Sequence, residues 1–307
     1  MGKPIVIMGV FMADATFRAR RLPRMGETLR GDAFALGPGG KGSNQAVAAA
    51  RAGGDVTFLT RLGDDTFADM AMDLWRDAGI RPEALRDGHS HTGAASILVS
   101  SKSGDNAIVI SPGAGGEISG TDVDRWTPQI GAAAVFVTQL EQPIAAAERA
   151  LGVARAAGTV TILNPAPAAA LPGGLLANCD FITPNETEAE MLTGIAVDSL
   201  AGAEAAARHL CASGVGAVVI TLGEMGALFY DGDKARHLPA VVAGPVVDTT
   251  GAGDAFNGGF ATALAAGAAL HDAVRFGVAT AGVAVTRAGA ASAMPMSDEI
   301  AALVAVS

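Results

Sequence analysis

Apolar positions along this chain follow two rhythms. Pro4–Gly9 (PIVIMG), Asp55–Thr60 (DVTFLT), Ala134–Thr138 (AVFVT), Thr159–Leu163 (TVTIL) and Ala217–Leu222 (AVVITL) are short, β-branched and apolar at nearly every position. A strand with one face in water alternates apolar with polar residues, whereas a strand covered on both faces does not. These five segments therefore predict strands buried between two layers. Between them, Gly42–Arg51, Phe67–Ala78, Pro143–Ala157 and Ala201–Ala212 are alanine-rich and long enough to predict helices. Strand, helix and strand repeated in this way predict an α/β fold, a mainly parallel sheet with helices on both faces.

Two stretches break the rhythm, roughly residues 11–36 and 92–111. Both alternate in shorter steps, as in Ala94-Ala95-Ser96-Ile97-Leu98-Val99, with a turn at Ser103-Gly104-Asp105. They predict antiparallel strands outside the main sheet, a flap beside it. No repeat, heptad or Pro- or Ser-rich linker divides the chain. Residues 1–307 are thus expected to form one α/β domain carrying a small β insertion in two pieces.

Composition narrows the function. Of 307 residues, half are hydrophobic and 17% charged, which excludes a disordered chain. Acids outnumber bases by 31 to 21, a net charge of −10. That opposes nucleic acid or an anionic membrane surface as partner, but leaves room for a small anionic ligand at one local positive spot. Cys179 and Cys211 form neither a CxxC motif nor a disulfide framework, so a reducing, cytoplasmic location is expected. Met1-Gly2-Lys3-Pro4 runs into a short apolar segment and then Asp14, unlike a signal peptide. The longest uncharged stretch, Ala156–Cys179, contains Pro165, Pro167 and Pro172 and cannot be one membrane helix.

Three segments could carry chemistry. Gly37-Pro38-Gly39-Gly40-Lys41-Gly42-Ser43-Asn44-Gln45 contains a literal G-x-G-x-x-G, which raises a dinucleotide site. A half-polar stretch separates it from the first buried strand, however, and the next strand offers no acid for a ribose. Glycines that let the backbone approach a polar ligand, with Lys41 and Asn44 beside it, fit better; a plain loop with Ser43 as helix cap remains open. In Val247–Gly259, the small residues Gly251, Ala252 and Gly253 leave amides open at a helix start, where an oxyanion or phosphate is favoured. Asp254 follows in the first turn, placed to act as a base beside that anion hole. A simple glycine-rich turn is the alternative. Finally, Thr183-Pro184-Asn185-Glu186-Thr187-Glu188-Ala189-Glu190 could hold Mg²⁺ through water, or could be only an acidic helix start capped by Asn185 or Thr187. The histidines show no zinc spacing and the serines no nucleophile elbow.

Taken together, these motifs resemble the ribokinase family of sugar kinases, also called the phosphofructokinase-B family. Gly39-Gly40-Lys41-Gly42-Ser43-Asn44-Gln45-Ala46 and Asp248–Gly258 carry the resemblance. Gln139-Leu140-Glu141, Leu163-Asn164-Pro165-Ala166-Pro167, Thr183–Glu186 and Thr221-Leu222-Gly223 follow in family order, so it spans nearly the whole chain. It implies an ATP-dependent kinase acting on a primary hydroxyl, with D-ribose, converted to ribose 5-phosphate, as the leading substrate. A ketose, a 2-keto-3-deoxy sugar acid or a nucleoside is the alternative within the family, and a non-catalytic sugar- or nucleotide-sensing protein the alternative outside it.

The resemblance also implies roles. Asp254 would be the base, with the amides of Gly251, Ala252 and Gly253 as anion hole. Asp14, Gly40, Lys41, Asn44 and Glu141 would hold sugar hydroxyls. Asn185, Thr221, Gly223, Gly226 and Gly253 would hold the nucleotide, and Glu188 would reach Mg²⁺ through water. Asp248, Thr250, Ala284, Arg287 and Gly289 would form the loop for a monovalent cation such as K⁺. The flap would be a lid over the sugar and the interface of a homodimer. Three residues depart from the family pattern: Met12 stands where an Asn usually bonds sugar hydroxyls, Val278 where a polar residue lies near adenine, and Ala293 where a hydroxyl can complete the cation site.

Overall fold

The computed structural model describes residues 3–241 and 243–306; Met1, Gly2, Val242 and Ser307 lie outside that description. The described residues form two sheets. The larger contains β1 (Pro4–Met8), β4 (Asp55–Gly63), β5 (Arg81–Asp87), β8 (Val135–Thr138), β9 (Val160–Leu163), β10 (Phe181–Ile182), β11 (Ala217–Thr221), β12 (Ala227–Tyr230) and β13 (Ala235–Leu238). Their order is β13-β12-β11-β10-β9-β8-β1-β4-β5, parallel from β5 to β11, with β12 and β13 added antiparallel. The smaller contains β2 (Met12–Ala19), β3 (Ala33–Gly39), β6 (Ala94–Ser100) and β7 (Asn106–Ser111), in the order β3-β2-β6-β7. The helices are α1 (Lys41–Arg51), α2 (Thr66–Asp77), α3 (Gly120–Ala132), α4 (Ile144–Ala157), α5 (Glu186–Thr193), α6 (Leu200–Ala212), α7 (Ala252–Ala265), α8 (Leu270–Ala284) and α9 (Ser297–Val306).

The apolar runs are buried on both faces, as their composition requires. Along β1, Ile5 and Ile7 enter one core, with α1, α2, α7 and α8, while Val6 and Met8 enter the other, with α3, α4 and α6. Along β8, Val135 and Val137 face the first core and Phe136 the second. The period of two is thus present, but both of its phases are apolar.

The two inserted pieces form the small sheet. Within each piece the strands pair antiparallel, β2 with β3 and β6 with β7, while the seam joining the pieces, β2 to β6, is parallel. The first piece runs to Gly39, so Gly37 and Gly39 belong to β3 of this small sheet. Here the dinucleotide reading fails: these glycines do not form the turn after β1 that such a site needs.

The order in which strands are added to the main sheet reverses at β1, which pairs parallel with β4 on one side and β8 on the other. Ligands of open parallel sheets bind beyond the carboxyl ends of strands at such a switch point. All of the candidate sugar and catalytic residues lie at that end. Asp14 follows β1, Glu141 follows β8, Asn185 follows β10, and Thr221 ends β11.

Candidate active site

Two helices bring the first two glycine motifs together. Gly258 of α7 faces α1 so closely that a Cβ there would lie 2.4 Å from the Ala48 Cβ and 2.8 Å from the Gln45 carbonyl oxygen. Its neighbour Gly259 faces α8, where a Cβ would meet the Thr280 hydroxyl at 2.2 Å. The glycine pair therefore lets α7 lie tightly between α1 and α8. One turn before Gly258, that contact delivers Asp254 to α1.

Asp254 is only 6% exposed. Its Oδ2 accepts from Asn44 Nδ2 at 3.0 Å and its Oδ1 from Gln45 Nε2 at 3.0 Å. Burial pushes its pKa above the usual carboxylate range, opposed by the Lys41 charge and by the two amide donors. Such a carboxylate is a stronger base than a solvated one, yet has the donors it needs to stay ionised.

Gly251 opens α7 with φ 76°, the left-handed region that favours glycine. Asp254 and the turn 251–253 line one cleft with Lys41, Asn185, Glu188 and Thr221. The three amides of that turn are not equivalent. Ala252 N–H donates to the Thr249 carbonyl at 3.2 Å, whereas the N–H groups of Gly251 and Gly253 have no partner among the described residues. A Cβ on Gly253 would meet open space, so nothing but the cleft occupies that side. Lys41 supplies the positive charge of the cleft in a protein of net charge −10.

The sugar candidates lie beside the base. Lys41 N–H donates to Glu141 Oε2 at 2.7 Å, joining the start of α1 to the loop after β8. Desolvation pushes Glu141 up to about 7, and Asp14 up to about 6. Asp14 packs on Gly39, where a Cβ would lie 2.1 Å from its Oδ2. Gly40 (φ 88°) is pressed against the Val10 carbonyl, so this approach of β3 to β1's continuation needs glycine. Asn44 Oδ1 is buried and has no partner among the described residues. Met12 is 4% exposed, with its Sδ against Gly93 where β6 leaves the main body.

Asn185 and Glu188 line the cleft, and together they also form a reciprocal capping box on α5. Asn185 Oδ1 accepts from Glu188 N at 2.8 Å and Glu188 Oε2 accepts from Asn185 N at 2.9 Å. The helix-start reading of this acidic segment is therefore correct, and the remaining oxygen of Glu188 is what a hydrated Mg²⁺ could use. Thr221 lines the same cleft, bridged to Asn185. Gly223 and Gly226 lie in the turn behind it. Gly226 is required by that turn, since it has φ 94° and a Cβ would fall 2.2 Å from the Leu238 carbonyl oxygen.

Asp248 ties two loops together, its Oδ1 accepting from Thr250 N and its Oδ2 from Gly289 N, both at 2.9 Å. Desolvation raises its pKa, but these bonds outweigh it and leave the group below the ordinary value. Thr250 and Gly289 are thereby joined, the Ala284 carbonyl accepts from Arg287 N at 3.1 Å, and the Arg287 side chain is engaged with Glu299. Ala293 and Val278 are buried and offer no side-chain ligand.

Other polar groups here were not assigned from sequence. Asn164, Thr183 and Asn257 line the cleft, and Gln45 and Gln139 are buried beneath it. A usable signal existed: Gln139, Asn164 and Thr183 each directly follow a buried strand at its carboxyl end.

The sequence matches the pfkB family carbohydrate kinases over residues 3–297. It is 38% identical to a ribokinase of Haemophilus influenzae over 97% of each chain, and 37% identical to a deoxyribokinase of Salmonella typhi over 96% of each. An Arabidopsis thaliana ribokinase complexed with ribose and ATP superposes with a TM-score of 0.92 at 30% identity, covering 99% of both chains. The chain belongs to the pfkB family of carbohydrate kinases.

Proposed function

We propose that this protein is an ATP-dependent sugar kinase that transfers the γ-phosphoryl group to the primary hydroxyl of D-ribose, giving ribose 5-phosphate. The observation that supports this most is the position of Asp254: buried, held by Asn44 and Gln45, and adjoining the unpartnered amides of Gly251 and Gly253. The named substrates of the similar ribokinases favour the same reading.

In this mechanism Asp14, Lys41, Asn44 and Glu141 hold the sugar so that its primary hydroxyl faces Asp254. Asp254 takes the hydroxyl proton as the oxygen attacks phosphorus. The Gly251 and Gly253 amides and the start of α7 receive the negative charge that spreads over the transferring group, and ADP leaves. Asn185 and Thr221 hold the nucleotide phosphates, with Gly223 and Gly226 shaping the turn behind them. Mg²⁺, reached by Glu188 through water, and K⁺ on the carbonyls of residues 250, 284, 287 and 289 would supply charge neutralisation and a fixed anion-hole geometry. Phosphoryl transfer asks for positioning and charge neutralisation, and the small sheet serves as a lid that keeps competing water out.

A second reading, 2-deoxyribose as the preferred sugar, is favoured by Met12, which cannot pair a hydroxyl as an Asn does. The test is ADP release with a panel of ribose, 2-deoxyribose, ketoses, 2-keto-3-deoxy sugar acids and nucleosides, with and without K⁺. Ribose- or deoxyribose-dependent ADP formation, faster in K⁺ than in Na⁺, is the expected result. ADP formation with none of them would instead favour a sensing protein.

The outer face of the small sheet, opposite the one that carries Asp14, exposes Phe17, Phe34, Leu36 and Val109, and we assign it to a homodimer. Cys179 and Cys211 are both free thiols, and no helix of the described residues is long and apolar enough to cross a membrane. The free thiols favour a reducing, cytoplasmic location.

A further inference from the structure

We propose that Gln45, backed by Gln139, is a positioning residue that holds the Asp254 carboxylate in its reactive orientation. The proposal rests on the reading of Asp254 as base. Gln45 is 0% exposed, so it does not touch substrate; it acts through the groups it holds, Asp254 and the cleft-lining Asn164.

A carboxamide has a donor end and an acceptor end, and here its neighbours dictate which end points where. Gln139 Nε2 donates to Gln45 Oε1 at 2.6 Å. That turns Gln45 Nε2 toward two acceptors, Asp254 Oδ1 and Asn164 Oδ1, each at 3.0 Å. Asn164 cannot reverse, because its Nδ2 donates to the Thr183 carbonyl at 3.0 Å. Every polar atom of the Gln45 amide is thus paired, and a reversed amide would set oxygen against both acceptors. Gln139 is seated in turn by two glycines: a Cβ on Gly9 would lie 2.4 Å from its Oε1, and one on Gly42 2.9 Å. Gln139, Gln45 and Asp254 form a one-way chain of donors ending on the base.

The chain has a titration signature. A donor to the ionised carboxylate favours that form, so losing it raises the pKa of Asp254 and moves the acid limb of kcat to higher pH. The other charged groups facing Asp254 are Lys41 from α1, Glu141 from the loop after β8, Glu188 from α5, and Asp14 of β2 behind Glu141. All four remain in the variants that test the idea.

The experiment compares the full-length protein with Gln45→Leu, Gln139→Leu, the double variant and Asp254→Asn, measuring kcat, both KM values, the pH profile of kcat and thermal unfolding. Gln45→Leu should lower kcat by about 10- to 100-fold, as misplacement of a reacting group does. Its acid limb should rise by about one pH unit, the size of a lost hydrogen bond to a charged group, while the KM for ATP stays near wild type. Gln139→Leu should move both quantities in the same direction by less, and the double variant should match Gln45→Leu, because the two act as one unit. A folded Gln45→Leu with wild-type kcat and acid limb, or one altered only in stability, would overturn the proposal. If Gln45→Leu fails to fold, Gln139→Leu decides, and wild-type kcat and acid limb there would overturn it. Activity of Asp254→Asn within tenfold of wild type would overturn the base assignment instead.

Discussion

Met12 is the residue that most affects the choice of sugar. Its thioether accepts hydrogen bonds only weakly, so a sugar hydroxyl brought against it loses about 1–3 kcal/mol, or about 5- to 150-fold in affinity. Met12→Asn should therefore lower the KM for ribose several-fold and leave the KM for ATP alone. Unchanged or poorer ribose kinetics would show that Met12 does not face the sugar. Glu141 and Asp14 give a second expectation at this scale. Desolvation holds them near 7 and 6, and hydroxyl donors of a bound sugar favour their ionised forms. The bound-state pKa values are then lower than the free ones, so affinity is complete above about pH 7 and is lost as pH falls. The KM for sugar should fall as pH rises from about 6 to 8, checked by initial rates at saturating ATP; a flat profile would place the two carboxyls away from the hydroxyls. Asp254, Lys41 and Asn44 were legible in the sequence because their motifs concentrate glycine with polar groups. The role of Gln45 was not, since it depends on partners 94 and 209 residues away, whereas Gln139 could have been found from its place directly after β8.

Elements, like residues, were legible where their pattern was strong. Four of the five apolar strands lie within one residue of the predicted bounds, because burial on both faces leaves a continuous signal, and β4 runs three residues further than predicted, to Gly63. β5 was missed: its sequence RPEALRD belongs to a partly exposed edge strand whose polar positions mask it. The two-residue β10 is too short to carry a period. The seam between α1 and α7 was equally invisible, though it builds the site. Gly258→Ala would press a methyl group against Ala48 and the Gln45 carbonyl. Overpacking of this kind costs about 1–3 kcal/mol. Because the shift moves Asp254 away from Asn44 and Gln45, kcat should fall by about tenfold or more while unfolding shifts to lower temperature. Loss of stability with full kcat would separate the seam from the chemistry.

For the whole molecule, net charge and the small sheet matter most. An excess of ten acids leaves the cleft's attraction for phosphate to Lys41 and the start of α7, a local field within an acidic protein. The outer face of the small sheet leaves large apolar side chains uncovered, with Phe34 59% and Val109 72% exposed. Sedimentation should show a dimer in wild type, and Phe34→Glu with Val109→Glu should yield monomers; a monomeric wild type would reject the assignment. The central claim concerns the buried carboxylate at the switch point of the sheet, and one measurement reaches it most directly. Asp254→Asn keeps the shape of the site but removes the proton acceptor, so with ribose and ATP kcat should fall by about 10²–10⁴-fold or more while ATP binding, read by calorimetry, is retained. A folded Asp254→Asn protein that turns over ribose within tenfold of wild type would contradict the account.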